Sequence, residues 1–151
     1  MKKRDQRRRA REAALQILYQ WEIGGGDVER AVETFFGLQW PDAAPPSDEI
    51  RTFASTLAHD TVRRLSEIDR LIAETTERWR PERMAVLDRL ILRMAVCELM
   101  GAPETPPAVV INEALELART FSTEESVKFV NGMLDGIRKK LDGIRKKMER
   151  A

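Results

Sequence analysis

The chain has 151 residues, 42% hydrophobic and 34% charged, which is a one-domain length with enough apolar content for a core and excludes a disordered chain. Its net charge of +1 hides an asymmetry: residues 1–11 carry seven basic side chains against Asp5, residues 138–150 carry seven against Asp142 and Glu149, and the remainder holds 12 basic and 22 acidic residues. Basic ends point to a polyanion and an acidic body to a basic partner, with simply solvated termini as the plain alternative.

Helical periodicity runs through nearly the whole chain, and no stretch alternates with period two. A first helix is expected over about residues 6–23, with Ala10, Ala14, Ile17, Leu18 and Trp21 as its apolar stripe and Gly24-Gly25-Gly26 as its stop. A second follows over about 27–38, with Asp27 as N-cap. The Pro-rich run "QWPDAAPPSDE" is a loop, and Ser47 caps a third helix with Ile50, Phe53, Ala54, Leu57, Thr61 and Leu65 on one face. Ser66, with Asp69 three residues on, restarts the chain as a fourth helix to about residue 79.

Pro81 suits the first turn of a fifth helix over 81–100, stopped by Gly101. Residues 84–100 contain 13 apolar residues, but Asp88, Arg89, Arg93 and Glu98 make the stretch the centre of a bundle rather than a membrane span. Pro106 and Pro107 open a sixth helix ending near Phe121, and Ser122 with Glu125 forms a capping box for a seventh. The expected fold class is all-α, with about seven helices.

The residues argue against an enzyme. His59 is the lone histidine and Cys97 the lone cysteine, too few for a structural zinc site. Gly24-Gly25-Gly26 follows a helix and lacks the Lys-Ser/Thr of a phosphate loop, so no cofactor is expected. One cysteine also rules out an internal disulfide, and no apolar stretch follows the basic start; a cytoplasmic protein without a signal peptide is expected.

Two stretches remain. "KFVNGMLDGIRKKL", residues 128–141, holds the turn dipeptides Asn131-Gly132 and Asp135-Gly136, yet Phe129, Val130, Met133, Leu134 and Ile137 recur at helical spacing. In a helix the two glycines lie one turn apart and open a groove beside Lys128 and Phe129. A core Phe129 with glycines placed for packing is the competing account. Beyond it, "LDGIRKK" occurs at 134–140 and again at 141–147, and the second copy is expected to be a helical extension prone to fraying, with a basic face, or less readily a dimerising seam. At the other end, "KKRDQRRRAREAALQILYQWE" joins an arginine cluster to an amphipathic helix, a combination suited to phosphate and base contacts.

"RRRAREAALQILYQWE", "LDRLILRMAVCELM" and "PPAVVINEALELARTFSTEESVKFVNGMLD" resemble the NusB family of bacterial transcription antitermination factors over roughly residues 4–137. The resemblance implies two packed three-helix bundles with a leading N-terminal helix. It divides the chain into a NusB-like RNA-binding helical domain, 1–137, and a basic C-terminal helical extension, 138–151, with the tandem repeat. It implies a non-enzymatic factor that binds boxA of nascent ribosomal RNA together with the ribosomal protein NusE, within an antitermination complex on RNA polymerase. Carried over residue by residue, the RNA surface comprises Arg7, Arg8, Arg9, Arg11, Glu125, Lys128 and Phe129, and the partner surface Tyr19 and Glu98. The family contains monomers and homodimers, and the resemblance leaves that choice open. Some RNA cytosine methyltransferases begin with the same domain, but the catalytic domain they add has no counterpart in this sequence. A helical protein–protein adaptor without specific RNA binding is the alternative function.

Overall fold

The computed structural model describes residues 2–77, 79–101 and 104–151, among which there are seven α-helices and no strand. The chain divides into two compact units, Met1–Arg63 and Arg64–Ala151.

The first unit holds α1 (Lys3–Gly24), α2 (Val28–Thr34), a π-helical stretch (Phe35–Gln39) and α3 (Asp48–Arg63). α1 lies along α3, and both carry fully buried alanines, Ala10 and Ala14 on one and Ala54 and Ala58 on the other. Small side chains at such positions suit close approach of two helices. Ile17, Leu18, Ile50, Val32 and Phe35 fill the remaining core. Asp27 caps α2, accepting from the Glu29 N–H at 2.8 Å, and Ser47 caps α3, accepting from the Ile50 N–H at 3.2 Å. Gly25 and Gly26 have φ of 70° and 85°, which stops α1 where the glycine run was expected to stop it. The expected second helix is divided, since its last turn widens into the π-helical stretch that presents Phe35 and Phe36 to Trp40.

The second unit holds α4 (Leu65–Thr75), a 3₁₀ turn (Pro81–Arg83), α5 (Val86–Met100), α6 (Pro107–Phe121) and α7 (Glu124–Arg150). α5 packs against α4, α6 and α7, and every residue from 90 to 97 is buried. Arg93 among them is neutralised by a bidentate bond to Asp69, 2.9 Å on each arm, so its burial leaves no unpaired charge.

Four local expectations are corrected. α4 ends at Thr75 because Thr76 is extended (φ −153°, ψ 141°), not near residue 79; residue 78 of that stretch lies outside the described residues. Ser66 sits inside the first turn of α4 and the N-cap position is Arg64, without a side-chain cap, while Asp69 turns to Arg93. Pro81 opens only the 3₁₀ turn: the chain is extended again at Met84, and Arg89 donates to the carbonyls of Pro81 and Met84 at 3.3 and 3.2 Å. At α7 the cap is Thr123, which accepts from the Ser126 N–H at 3.1 Å, rather than Ser122. The hydroxyls of Ser122 and Ser126 instead donate to the two oxygens of Asp88, at 2.6 and 2.8 Å.

α7 runs unbroken for 27 residues through both turn dipeptides and both repeat copies. Val130, Leu134 and Ile137 are fully buried, and that apolar stripe holds the glycine-bearing stretch in the helix. A Cβ on Gly136 would stand 3.3 Å from Thr75 Cγ2, so that glycine admits the end of α4; at Gly132 the space is open.

Candidate nucleic-acid interface

Four arginines at the start of α1 meet very different surroundings. Arg7 and Arg11 stand four residues apart, on one face of the helix. Both guanidinium groups lie over the Phe53 ring, 4.7 and 5.0 Å from its centroid. Arg7 Nε also donates to Glu49 Oε1 at 3.0 Å, and Arg11 is only 4% exposed. Arg9 donates to both oxygens of Asp42 at 3.2 Å and to Glu12 at 3.3 Å, with its guanidinium 4.9 Å from the centre of the Trp40 ring. Arg8 is exposed, as are Lys2, Lys3 and Arg4. Sequence reasoning missed Trp40, Asp42, Glu49 and Phe53. They come from more than about 30 residues away along the chain, and no local pattern pairs them with α1.

The second cluster lies in the other unit. Lys128, Phe129, Gly132, Met133 and Gly136 of α7 line an open groove of about 230 Å³ whose far wall is Thr75 and Thr76. Lys128 is exposed and Phe129 half-buried, so the ring both packs and faces the groove. Glu125 is exposed one turn before Phe129 on the same helix. The groove foreseen from the two glycines exists, while the contribution of Thr75 and Thr76 was not legible, because it depends on where α4 ends. A groove with a flat aromatic floor and a cation at its edge can stack a planar base and hold a phosphate.

The two expected partner residues also stand apart in the division of the chain. Tyr19, on α1, is 42% exposed, and Ile23, one turn on, is 62% exposed. Ile23 and Tyr19 form an exposed pair at i,i+4 spacing on α1. Glu98 is half-buried in the last turn of α5. His59 lies 3.1 Å from Glu29 on the surface of the first unit. Among the described residues no cluster of His, Cys, Asp or Glu is placed to hold a metal ion, and no helix is long and apolar enough to cross a membrane.

The NusB family model matches residues 8–139. The chain belongs to the NusB family. A transcription antitermination protein NusB of Koribacter versatilis is 48% identical over 134 residues, 89% of each chain. The solved T. maritima NusB superposes with a TM-score of 0.77 at 36% identity, covering 88% of this chain and 90% of that one. A crystal structure of the antitermination factors NusB and NusE in complex with dsRNA matches with a TM-score of 0.79 at 26% identity, over 90% of this chain and 98% of that chain. The NusB match takes in Arg8, Arg9, Arg11, Tyr19, Glu98, Glu125, Lys128 and Phe129. It leaves out Arg7 and the second copy of the repeat, 141–147.

Proposed function

We propose that this chain is a non-enzymatic, cytoplasmic transcription antitermination factor that binds boxA of nascent ribosomal RNA together with the ribosomal protein NusE, in an antitermination complex on RNA polymerase. The observation that carries the reading is the groove of α7, where Lys128, which has no hydrogen bond or ion pair among the described residues, adjoins a half-buried aromatic ring in a NusB-family chain. The likeness to a NusB bound to NusE and dsRNA supports it.

In this reading Phe129 stacks a base, Lys128 holds a neighbouring phosphate, and Glu125 accepts from a base edge. Arg8 and Arg9 supply phosphate contacts, Arg9 by exchanging Asp42 for the RNA. Arg7 and Arg11 act as positioning residues, because their guanidinium groups are spent on Phe53. Tyr19 and Glu98 serve the protein partner, with Glu98 meeting a basic or donor group. A homodimer through the RNA side would cover the groove and make RNA affinity fall as protein concentration rises.

The adaptor reading is favoured by one observation, the engagement of Arg7, Arg9 and Arg11 by their own unit. Titration with boxA RNA and with a scrambled RNA, with and without NusE, separates the two. Preference for boxA that strengthens with NusE is the expected result. Equal binding of both RNAs would leave the adaptor.

A further inference from the structure

The family match ends at residue 139, but α7 continues to Arg150. That last part is held to its own unit: Ile137 is fully buried, Leu141 is half-buried, and Arg145 Nη2 donates to the Leu99 carbonyl at 2.7 Å. A carbonyl in the last turn of a helix has no partner within that helix, so Arg145 satisfies an otherwise open group at the end of α5. The second repeat copy is therefore an anchored helix.

Its cations fall in register with the groove. At about 100° per residue, Lys128, Lys139, Lys146 and Arg150 lie within about 40° of one another, a stripe about 33 Å long beginning beside Phe129 and Gly132. Lys139 is paired with Asp135 at 3.0 Å; Lys128, Lys146, Lys147 and Arg150 make no hydrogen bond or ion pair among the described residues. Asp135, Asp142 and Glu149 form an acidic row along one border of the stripe, which repels phosphate. Lys140, paired with Glu74 at 3.1 Å, and Lys147 follow Phe129 along the other border. The exposed apolar residues of the extension, Ile144 and Met148, project from the opposite side of the helix.

We infer that the outer face of α7 is a directional track for single-stranded RNA, on which the strand leaving the groove at Phe129 continues past the second LDGIRKK copy. The inference rests on the proposed boxA reading and deepens it: the chain grips the flank of boxA on one side, through residues outside the family match. Phosphates sit along the lysine stripe, and the acidic row keeps the strand on the groove side.

The test compares three RNAs: boxA alone, boxA lengthened with unstructured oligouridine at its 5′ end, and boxA lengthened likewise at its 3′ end. Each is titrated against the full chain, against Lys146→Glu/Arg150→Glu, and against Lys146→Gln/Arg150→Gln, which removes charge without adding repulsion. Circular dichroism checks that the helix persists. BoxA alone should bind all three proteins equally. One lengthened RNA should bind the full chain more tightly, and both variants should lose that gain. The salt slope should fall by about 1.4 for two lost contacts, which is about a sevenfold smaller loss of affinity between 50 and 200 mM salt. No gain from either extension, or equal gains from both, overturns the track while the boxA reading stands. Failure of boxA itself to bind overturns both.

Discussion

The basic start of α1 and the basic end of α7 are alike in composition and differ in what surrounds their cations. Seven cations stand at each end of the sequence. At α1, two arginines share the Phe53 ring and a third is pinned between Asp42 and Glu12 over Trp40. At α7, Lys139 pairs with Asp135 and Lys140 with Glu74, but beyond them Lys146, Lys147 and Arg150 are uncommitted among the described residues. The difference arises from what the fold brings opposite each helix. α1 is packed against α3 and approached by the 40–47 loop, so acids and aromatics surround its arginines. The second repeat copy presents its lysines outward, with only Arg145 turned to a neighbouring carbonyl. A count of positive charge thus says where a polyanion is attracted, and only the surroundings say which cations are available to it.

Three substitutions and one truncation sharpen or break that contrast, taken from the largest expected effect to the smallest. Arg11→Ala should destabilise the chain by about 2 kcal/mol, since a desolvated guanidinium over an aromatic ring and its packed stem are both lost. Urea unfolding measures it. A stability within error of the parent chain, with RNA binding lost, would make Arg11 an RNA contact rather than a positioning residue.

Phe129→Ala comes next. RNA affinity should fall by about 1–3 kcal/mol with little change in salt slope, because stacking rather than charge is removed. If the variant unfolds in thermal melts, or binds boxA unchanged, the ring belongs to the core alone.

Asp42→Asn tests whether α1's cations are restrained by their neighbours. The change leaves a hydrogen-bond acceptor for Arg9 but removes a repulsive charge near any bound phosphate, so RNA affinity should rise by about 0.5–1 kcal/mol at low salt and converge with the parent as salt is added. No change across the salt series would remove Arg9 from the RNA surface.

Truncation after Lys140 should have the smallest effect on the fold. It removes the bond from Arg145 to Leu99, worth about 1 kcal/mol, and few buried side chains. Denaturant midpoints should shift only slightly and helicity should fall only by the residues removed. A collapse of cooperative unfolding, or conversion of a dimer to a monomer, would instead give the Leu141–Ile144–Met148 seam a structural role.

Features decided by near neighbours were legible in the sequence. Asp27 and Ser47 cap their helices through groups two and three residues away, and Gly25 and Gly26 end α1 by their own backbone freedom. The apolar stripe of α7 outweighed two turn dipeptides for the same reason, since periodicity over many residues exceeds the propensity cost of two glycines. The all-helical fold and family membership followed from such patterns.

Choices that depend on distant residues were not legible. Thr123 rather than Ser122 caps α7 because Asp88, 34 residues from Ser122, accepts the Ser122 hydroxyl. The 3₁₀ turn at Pro81 closes with Arg89 satisfying its carbonyls, which no helical periodicity announces. Sequence alone determined the helices, the groove-forming glycines of α7 and the sites of positive charge, because those reside in residue type and spacing. Tertiary structure alone decided that Thr75 and Thr76 wall the groove, that Arg7, Arg9 and Arg11 are engaged, and that Lys128, Lys146 and Arg150 have no hydrogen bond or ion pair among the described residues. Ion pairs, stacking and burial act through space, and the ion-pair partners of Arg9 and Arg7 come from 33 and 42 residues away.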